Sequence, residues 1–240
     1  MTSNDDLNKA VDDFFTGDYV ITNGTTVPDV EDIALGKVGR EMELAMLFID
    51  IKESTKIVDD FRRQTAAKMY KSFLHGITRI ARDYSGYVRS FNGDGVLVVF
   101  DGGRKCNNAV KASMKMSYFC TEVLKSKVEA YLESHKVPAD LNFGFGIGIH
   151  VGKVLIVRGG IRGDKNNDLV WVGNATNFAV KLSTLATSVY RIYISQKVYS
   201  FLDDDQKYKD SATNDENMWT KIDNSNYDFY LYKTNFHWGL

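Results

Sequence analysis

Apolar positions along the chain change period several times, and each change predicts an element. Leu7, Val11 and Phe14 recur at helical spacing and predict a short amphipathic helix over residues 6–15. Residues 16–39 show no period and predict an irregular connector, with Asn23-Gly24-Thr25-Thr26 as a turn. Leu44 to Ile49 is a continuous apolar run inside a strand over residues 43–51, as expected when both faces are covered. A helix follows, with Ser54 or Thr55 suited to cap its start. A longer helix then carries the stripe Phe61, Ala66, Met69, Phe73, Ile77, Ile80 and Tyr84. Residues 86–91 and 96–100 predict a hairpin around Asn92-Gly93-Asp94-Gly95.

Next comes a long helix that buries Ala109, Val110, Ser113, Phe119, Cys120, Val123 and Leu124. Residues 142–150 and 153–158 predict two more strands joined near Val151-Gly152. In the first of these, Gly144, Gly146 and Gly148 alternate with apolar residues, leaving one face bare for another backbone to approach. A strand over 168–172 leads into a helix over 174–185 with Ala175, Phe178, Ala179 and Leu182 on its stripe. A strand over 190–194, a short helix near 197–202 and strands near 218–222 and 227–232 complete the pattern. The order predicts an α+β protein, an antiparallel-rich sheet with flanking helices.

A length of 240 residues suits an N-terminal extension, residues 1–40, and one catalytic domain, residues 41–240. Thirty basic against 31 acidic residues leave no basic surface for a nucleic acid polymer, so small-molecule chemistry is favoured. Cys106 and Cys120 lie about 21 Å apart along one helical pattern, too far to bridge, and suit free thiols in a reducing compartment. The first residues lack a basic, apolar signal region, and no apolar run approaches the ~20 residues of a membrane span. A cytoplasmic location without direct membrane contact is expected.

The informative chemistry lies in LFIDIKEST, with Asp50, and FNGDGVLVVF, with Asp94, 44 residues later. Each carboxylate interrupts or adjoins an apolar strand-like run, which is costly unless a cation or donor meets it. Two carboxylates from different strands suit two hard divalent ions that take their other ligands from water and phosphate. Two ordinary turn aspartates are the alternative, and for Asp94 the hairpin alone would explain the residue.

Four segments in order resemble a class III nucleotidyl cyclase catalytic domain. They are Phe48-Ile49-Asp50-Ile51 with Ser54-Thr55, Asn92-Gly93-Asp94-Gly95, Gly146-Ile147-Gly148-Ile149-His150-Val151-Gly152, and Gly173-Asn174-Ala175-Thr176-Asn177 running on to Leu182. The resemblance implies a ferredoxin-like core and a head-to-tail homodimer with sites at its interface. It implies that Asp50 and Asp94, with the Ile51 carbonyl, hold two Mg²⁺ or Mn²⁺ per site, and that backbone around Glu53, Ser54 and Thr55 cradles a triphosphate. The partner subunit's Asn177 would position the ribose, and the partner subunit's Lys181 would supply a cation. The family usually has Arg at the latter place. Lys keeps the charge but not the planar fork, so Arg158 or Arg162 is a second candidate for that task.

The base-reading positions also depart from the purine cyclases. Ser90 stands where adenylyl cyclases carry Lys, and Val170 where they carry Asp or Thr; guanylyl cyclases usually carry Glu and Cys. The region offers Arg89, Ser90 and Phe91 with Tyr87 nearby, and Trp171 beside Val170. A bulky pocket with an Arg donor suits a smaller base, and here the chain resembles the Pycsar pyrimidine cyclases. Those bacterial anti-phage enzymes make cyclic UMP or cyclic CMP, which acts on a separate effector protein. The expected activity is therefore cyclisation of UTP, or CTP. A purine cyclase with an altered pocket and a catalytically silent nucleotide-binding module remain the alternatives. So does an Arg89 that merely forms an ion pair and a Trp171 that merely packs, since strand alternation puts Ser90 and Arg89 on opposite sides.

Overall fold

The computed structural model describes residues 3–137, 143–163, 165–223 and 227–240. Helix α1 (Asn4–Phe15) starts at Ser3, whose Oγ accepts the Asp6 N–H at 3.1 Å while the Asp6 carboxylate accepts the Ser3 N–H at 3.0 Å. None of its residues is buried. The connector is less irregular than its sequence suggests. Within it β1 (Val20–Asn23) pairs in parallel with the start of β2 (Val38–Lys52), and Val30–Asp32 forms a 3₁₀ turn. All four residues of β1 are exposed, so no alternation of burial marks the strand in the sequence.

Both faces of β2 are covered, which explains its unbroken apolar run. Ala45, Leu47, Ile49 and Ile51 join one core cluster; Met42, Leu44, Met46 and Phe48 join another. Glu53, in the left-handed region at φ 54°, precedes α2 (Ser54–Asp60). It is therefore Glu53, not Ser54 or Thr55, that occupies the cap position, and no side chain caps this helix. Helix α3 (Arg63–Asp83) lays its predicted stripe against the first cluster. Strands β3 (Tyr87–Asn92) and β4 (Gly95–Phe100) form the expected hairpin, with Gly93 at φ 64° as its first central residue and Asp94 as its second.

Helix α4 (Lys105–Tyr118) continues through a π-helical turn, Phe119–Leu124, into α5 (Lys125–Ser134). Cys106 and Cys120 are buried free thiols, and burial raises the pKa of both. The two strands expected next are one, β5 (Gly144–Gly160), because β2 pairs with it without a break from Lys52↔Gly144 to Gly39↔Val157. The predicted start at Asn142 lies outside the described residues. Strand β6 (Asn167–Val172) pairs back on β5, and α6 (Asn174–Thr184) follows.

The remaining elements are β7 (Ile192–Ser195), α7 (Gln196–Ser200), α8 (Asp204–Lys207), the hairpin of β8 (Tyr208–Asp210) and β9 (Asp215–Asn217), β10 (Thr220–Ile222) and β11 (Leu231–Thr234). Strand β11 begins later than predicted because Tyr227 and Phe229 turn aside to pack on Phe178 of α6. The main sheet has the order β10-β11-β7-β5-β2-β4-β3, with β1 on β2 and β6 on β5. Its β5-β2-β4-β3 portion, connected through α3 and α4–α5, has the βαββαβ arrangement of a ferredoxin-like core. Helices α3 and α4 bury one face, while α6 lies on the other.

Candidate active site

Asp50 lies near the end of β2, opposite Gly146 of β5, and Asp94 sits in the β3–β4 turn that closes beside it. Gly95 permits that closure. A Cβ there would lie 2.5 Å from Phe48 Cζ and 3.3 Å from Asp50 Oδ1. Both acids are half-buried. Burial first, then the charge of Asp94 and a hydrogen bond with it, push the Asp50 carboxyl up to about 6. Lys52 and the Ile51 N–H act in the opposite sense.

Two further residues border the pair and escaped the sequence argument. Lys52 Nζ donates to the Thr184 carbonyl at 3.1 Å, tying the end of β2 to the end of α6, and burial holds its pKa down. Tyr70 Oη donates to the Ser54 carbonyl at 3.3 Å; burial raises its pKa, and Asp94 and Asp50 add to the effect. In sequence, Lys52 lies within the LFIDIKEST segment but reads as a solvated strand end, and Tyr70 lies off the α3 stripe with no local signal to mark it.

The residues present fit a divalent cation. Burying two carboxylates side by side is unfavourable, as the raised Asp50 pKa records, and a hard cation would relieve it. Asp50 and Asp94, with the Ile51 carbonyl expected to join them, would give an all-oxygen donor set. Among the described residues no cluster of three or more His, Cys, Asp or Glu exists, so water and phosphate oxygens would complete the shell.

Asn177 and Lys181 lie one turn apart on the exposed side of α6, with Lys181 Nζ 5.8 Å from the Phe178 ring centroid. The buried side of α6 rests on the glycine ladder. A Cβ on Gly148 would lie 2.0 Å from the Ala179 carbonyl oxygen, and one on Gly146 would lie 2.2 Å from that of Ser183. Ser183 thus marks the level of Asp50 on the helix, and Asn177 is about 9 Å away along the axis. No hydrogen bond or ion pair joins Asn177 or Lys181 to the acids among the described residues. Arg158 is committed elsewhere, donating from Nε to Asn167 Oδ1 at 2.8 Å and from Nη1 to the Ile33 carbonyl at 3.5 Å. Arg162 is exposed in the loop after β5.

A β-bulge between Val88 and Ser90 changes the expected alternation on β3. Tyr87 opposes Val99 and Ser90 opposes Leu97, so both look onto the sheet face that carries Phe48 and α6. Arg89 is on that face as well: its guanidinium carbon lies 5.3 Å from the Tyr87 ring centroid, and Nη1 contacts Asp29 Oδ1 at 2.8 Å. Trp171 is half-buried and packs, with Val30 and Tyr87, on the same cluster. Phe91 is 56% exposed and Val170 46% exposed. Ser90 Oγ donates to Asn92 Oδ1 at 3.0 Å.

A cavity of about 440 Å³ lies elsewhere, lined by His150, Ser195, Gln196, Lys197, Ser200 and Phe229. Burial and Lys197 push His150 down to about 4.

This sheet, with an acid at the end of its central strand and another in the adjoining turn, defines a class III nucleotidyl cyclase. The chain belongs to the adenylate and guanylate cyclase catalytic domain family, whose model matches residues 37–231. It is 32% identical to the uridylate cyclase of Xanthomonas perforans over 242 aligned positions, covering the whole of both chains. The uridylate cyclase of Burkholderia cepacia is similar to the same extent and coverage. The cytidylate cyclase of Staphylococcus aureus is 29% identical over 174 positions, 69% of this chain and 39% of that protein. Among solved structures, the adenylyl cyclase CyaB from P. aeruginosa matches with a TM-score of 0.63 at 20% identity, covering 82% of this chain and 95% of that one. The guanylyl cyclase Cya2 matches with a TM-score of 0.64 at 16% identity, covering 83% and 95%. Among the described residues no helix is long and apolar enough to cross a membrane.

Proposed function

We propose that the protein cyclises a pyrimidine nucleoside triphosphate, UTP in preference to CTP, to the 3′,5′-cyclic nucleotide and pyrophosphate. The observation that carries this reading is the half-buried Asp50–Asp94 pair, in which the neighbour's charge adds to burial in raising the Asp50 pKa. The pyrimidine choice is supported by Arg89 and Trp171 on the site face and by full-length similarity to proteins named uridylate cyclases.

In this reading Asp50, Asp94 and the Ile51 carbonyl would hold two Mg²⁺ or Mn²⁺. Bound there, the ions would favour ionisation of the ribose 3′-OH and screen the triphosphate. The chain's own groups do the rest. Backbone around Glu53, Ser54 and Thr55 cradles the triphosphate, and Asn177 orients the ribose. The 3′ oxygen forms a bond to the α-phosphorus as the bond to pyrophosphate breaks, and the 3′-OH proton leaves to solvent. Lys181 meets the charge that develops on the transferred phosphoryl group as a point charge. Arg89, Ser90, Phe91, Val170 and Trp171 surround the base.

Asn177 and Lys181 reach the acids from a second copy, so the working unit is a homodimer with two equivalent sites. Residues 1–40 form an extension to a catalytic unit of residues 41–240. The setting is the bacterial cytoplasm, where the cyclic nucleotide serves anti-phage defence through a separate effector.

The test is incubation of the purified protein with Mn²⁺ and ATP, GTP, CTP or UTP separately, with products resolved by mass. Cyclic UMP as the main product is expected. A cyclic purine would overturn the base reading while keeping the acid pair, and no product from any triphosphate would favour a silent nucleotide-binding module.

A further inference from the structure

The N-terminal segment reaches the face where the base is placed. Val27 and Ile33 are buried, and the Val27 N–H is held by Asp101 Oδ2 at 2.9 Å. Between them the Asp29 N–H donates to Asp32 Oδ2 at 2.9 Å, which fixes the backbone at the start of the 3₁₀ turn. From this seated backbone the Asp29 carboxylate, itself 73% exposed, extends to Arg89 Nη1. Arg89 is the less exposed member of the pair, with its side chain 17% exposed. Its guanidinium is thus bounded by Tyr87 and by Asp29.

Arg89 Nε is buried and has no hydrogen-bond partner among the described residues. A buried donor without an acceptor is unfavourable, and a small reorientation of the guanidinium towards a bound acceptor would relieve it. A guanidinium on a bulged edge strand would otherwise sample several rotamers; an anion on one nitrogen restricts which N–H groups remain for a ligand. The Asp29 contact engages Nη1 alone among the nitrogens of a guanidinium that carries five N–H donors, so further donors remain for a ligand.

We propose that Asp29 is a positioning residue for base selection: it clamps the Arg89 guanidinium so that its remaining donors meet a pyrimidine carbonyl. The proposal rests on the reading of Arg89 as a base contact, and it gives the extension a role in specificity.

Steady-state kinetics of Asp29→Ala, Asp29→Asn and Asp29→Glu with UTP, CTP, ATP and GTP test it. For Asp29→Ala the KM for UTP should rise about tenfold with kcat changed less than about threefold, so that UTP-over-ATP selectivity falls by about tenfold. Asp29→Glu should recover part of that selectivity, and Asp29→Asn, which keeps the shape of the side chain, carries the test if the Ala variant fails to fold. Asp29→Ala combined with Arg89→Ala should be no less selective than Arg89→Ala alone, because one residue acts through the other. An equal loss with all four substrates would make Asp29 a structural residue and overturn the proposal. If Arg89→Ala abolishes selectivity but Asp29→Ala does not, the positioning role alone fails. If Arg89→Ala leaves selectivity intact, the base reading fails, and the Asp29 role with it.

Discussion

Asp50 feels burial and Asp94 together, and its protonation links site chemistry to stability. Its folded pKa, about 6, lies above the ordinary 3.8. A raised carboxyl pKa gives stability that is fully present below pH 3.8 and is lost as pH rises through 6. Above pH 6 the ionised group therefore strains the metal-free fold. Asp50→Asn should raise the melting temperature in EDTA by about 2–6 °C at pH 8 and leave it nearly unchanged at pH 4. An equal shift at both pH values would contradict this. Ionisation also governs cation binding, so Mn²⁺ affinity by titration calorimetry should be at least about tenfold weaker at pH 5 than at pH 7.5. At this scale the sequence exposed Asp50 and Asp94, because polar residues beside apolar runs stand out. Tyr70 meets Ser54 and Asp29 meets Arg89 only through contacts with distant segments, and their own neighbours in sequence carry no sign of them. Lys52 lies within the Asp50 segment, but its tie to Thr184 is equally invisible there.

Strand β5 and helix α6 show how element-level pattern guided and misled. The alternating glycines implied close approach of another backbone, and α6 makes it. Gly148→Ala would press a methyl group on the Ala179 carbonyl oxygen and on the Ser183 nitrogen, which a Cβ would approach to 2.4 Å. It should cost about 3 kcal/mol or more in urea denaturation. At Gly152 a Cβ would meet only Ala175 Cβ at 3.5 Å and His150 Nε2 at 3.9 Å, so Gly152→Ala should be tolerated. That same Gly152 suggested a joint between two strands. It is mid-strand because Leu44 of β2 pairs with it, and a partner strand overrides the local weakness of glycine.

For the whole molecule, the proposed homodimer reading takes the separation of Asn177 from the acids to mean that two chains would build each active site. Asp50→Ala and Asn177→Ala proteins should each be inactive alone. Mixed after co-expression, they should regain about one quarter of wild-type activity, since half the dimers are mixed and each holds one intact site. Failure to complement would place the whole site in one chain.

The sequence by itself determined the α+β order, the hairpin that carries Asp94, the glycine face under α6 and the membership of the cyclase family. These rest on periodicity, turn chemistry and short motifs, all of which are local. Tertiary structure decided that β5 is continuous and that β1 joins the sheet. It also decided that Arg89 meets Asp29 across 60 residues and that a bulge turns Ser90 to the side of Arg89. Each depends on which segments become neighbours after folding, and a one-residue change of strand register reverses the face on which a side chain appears.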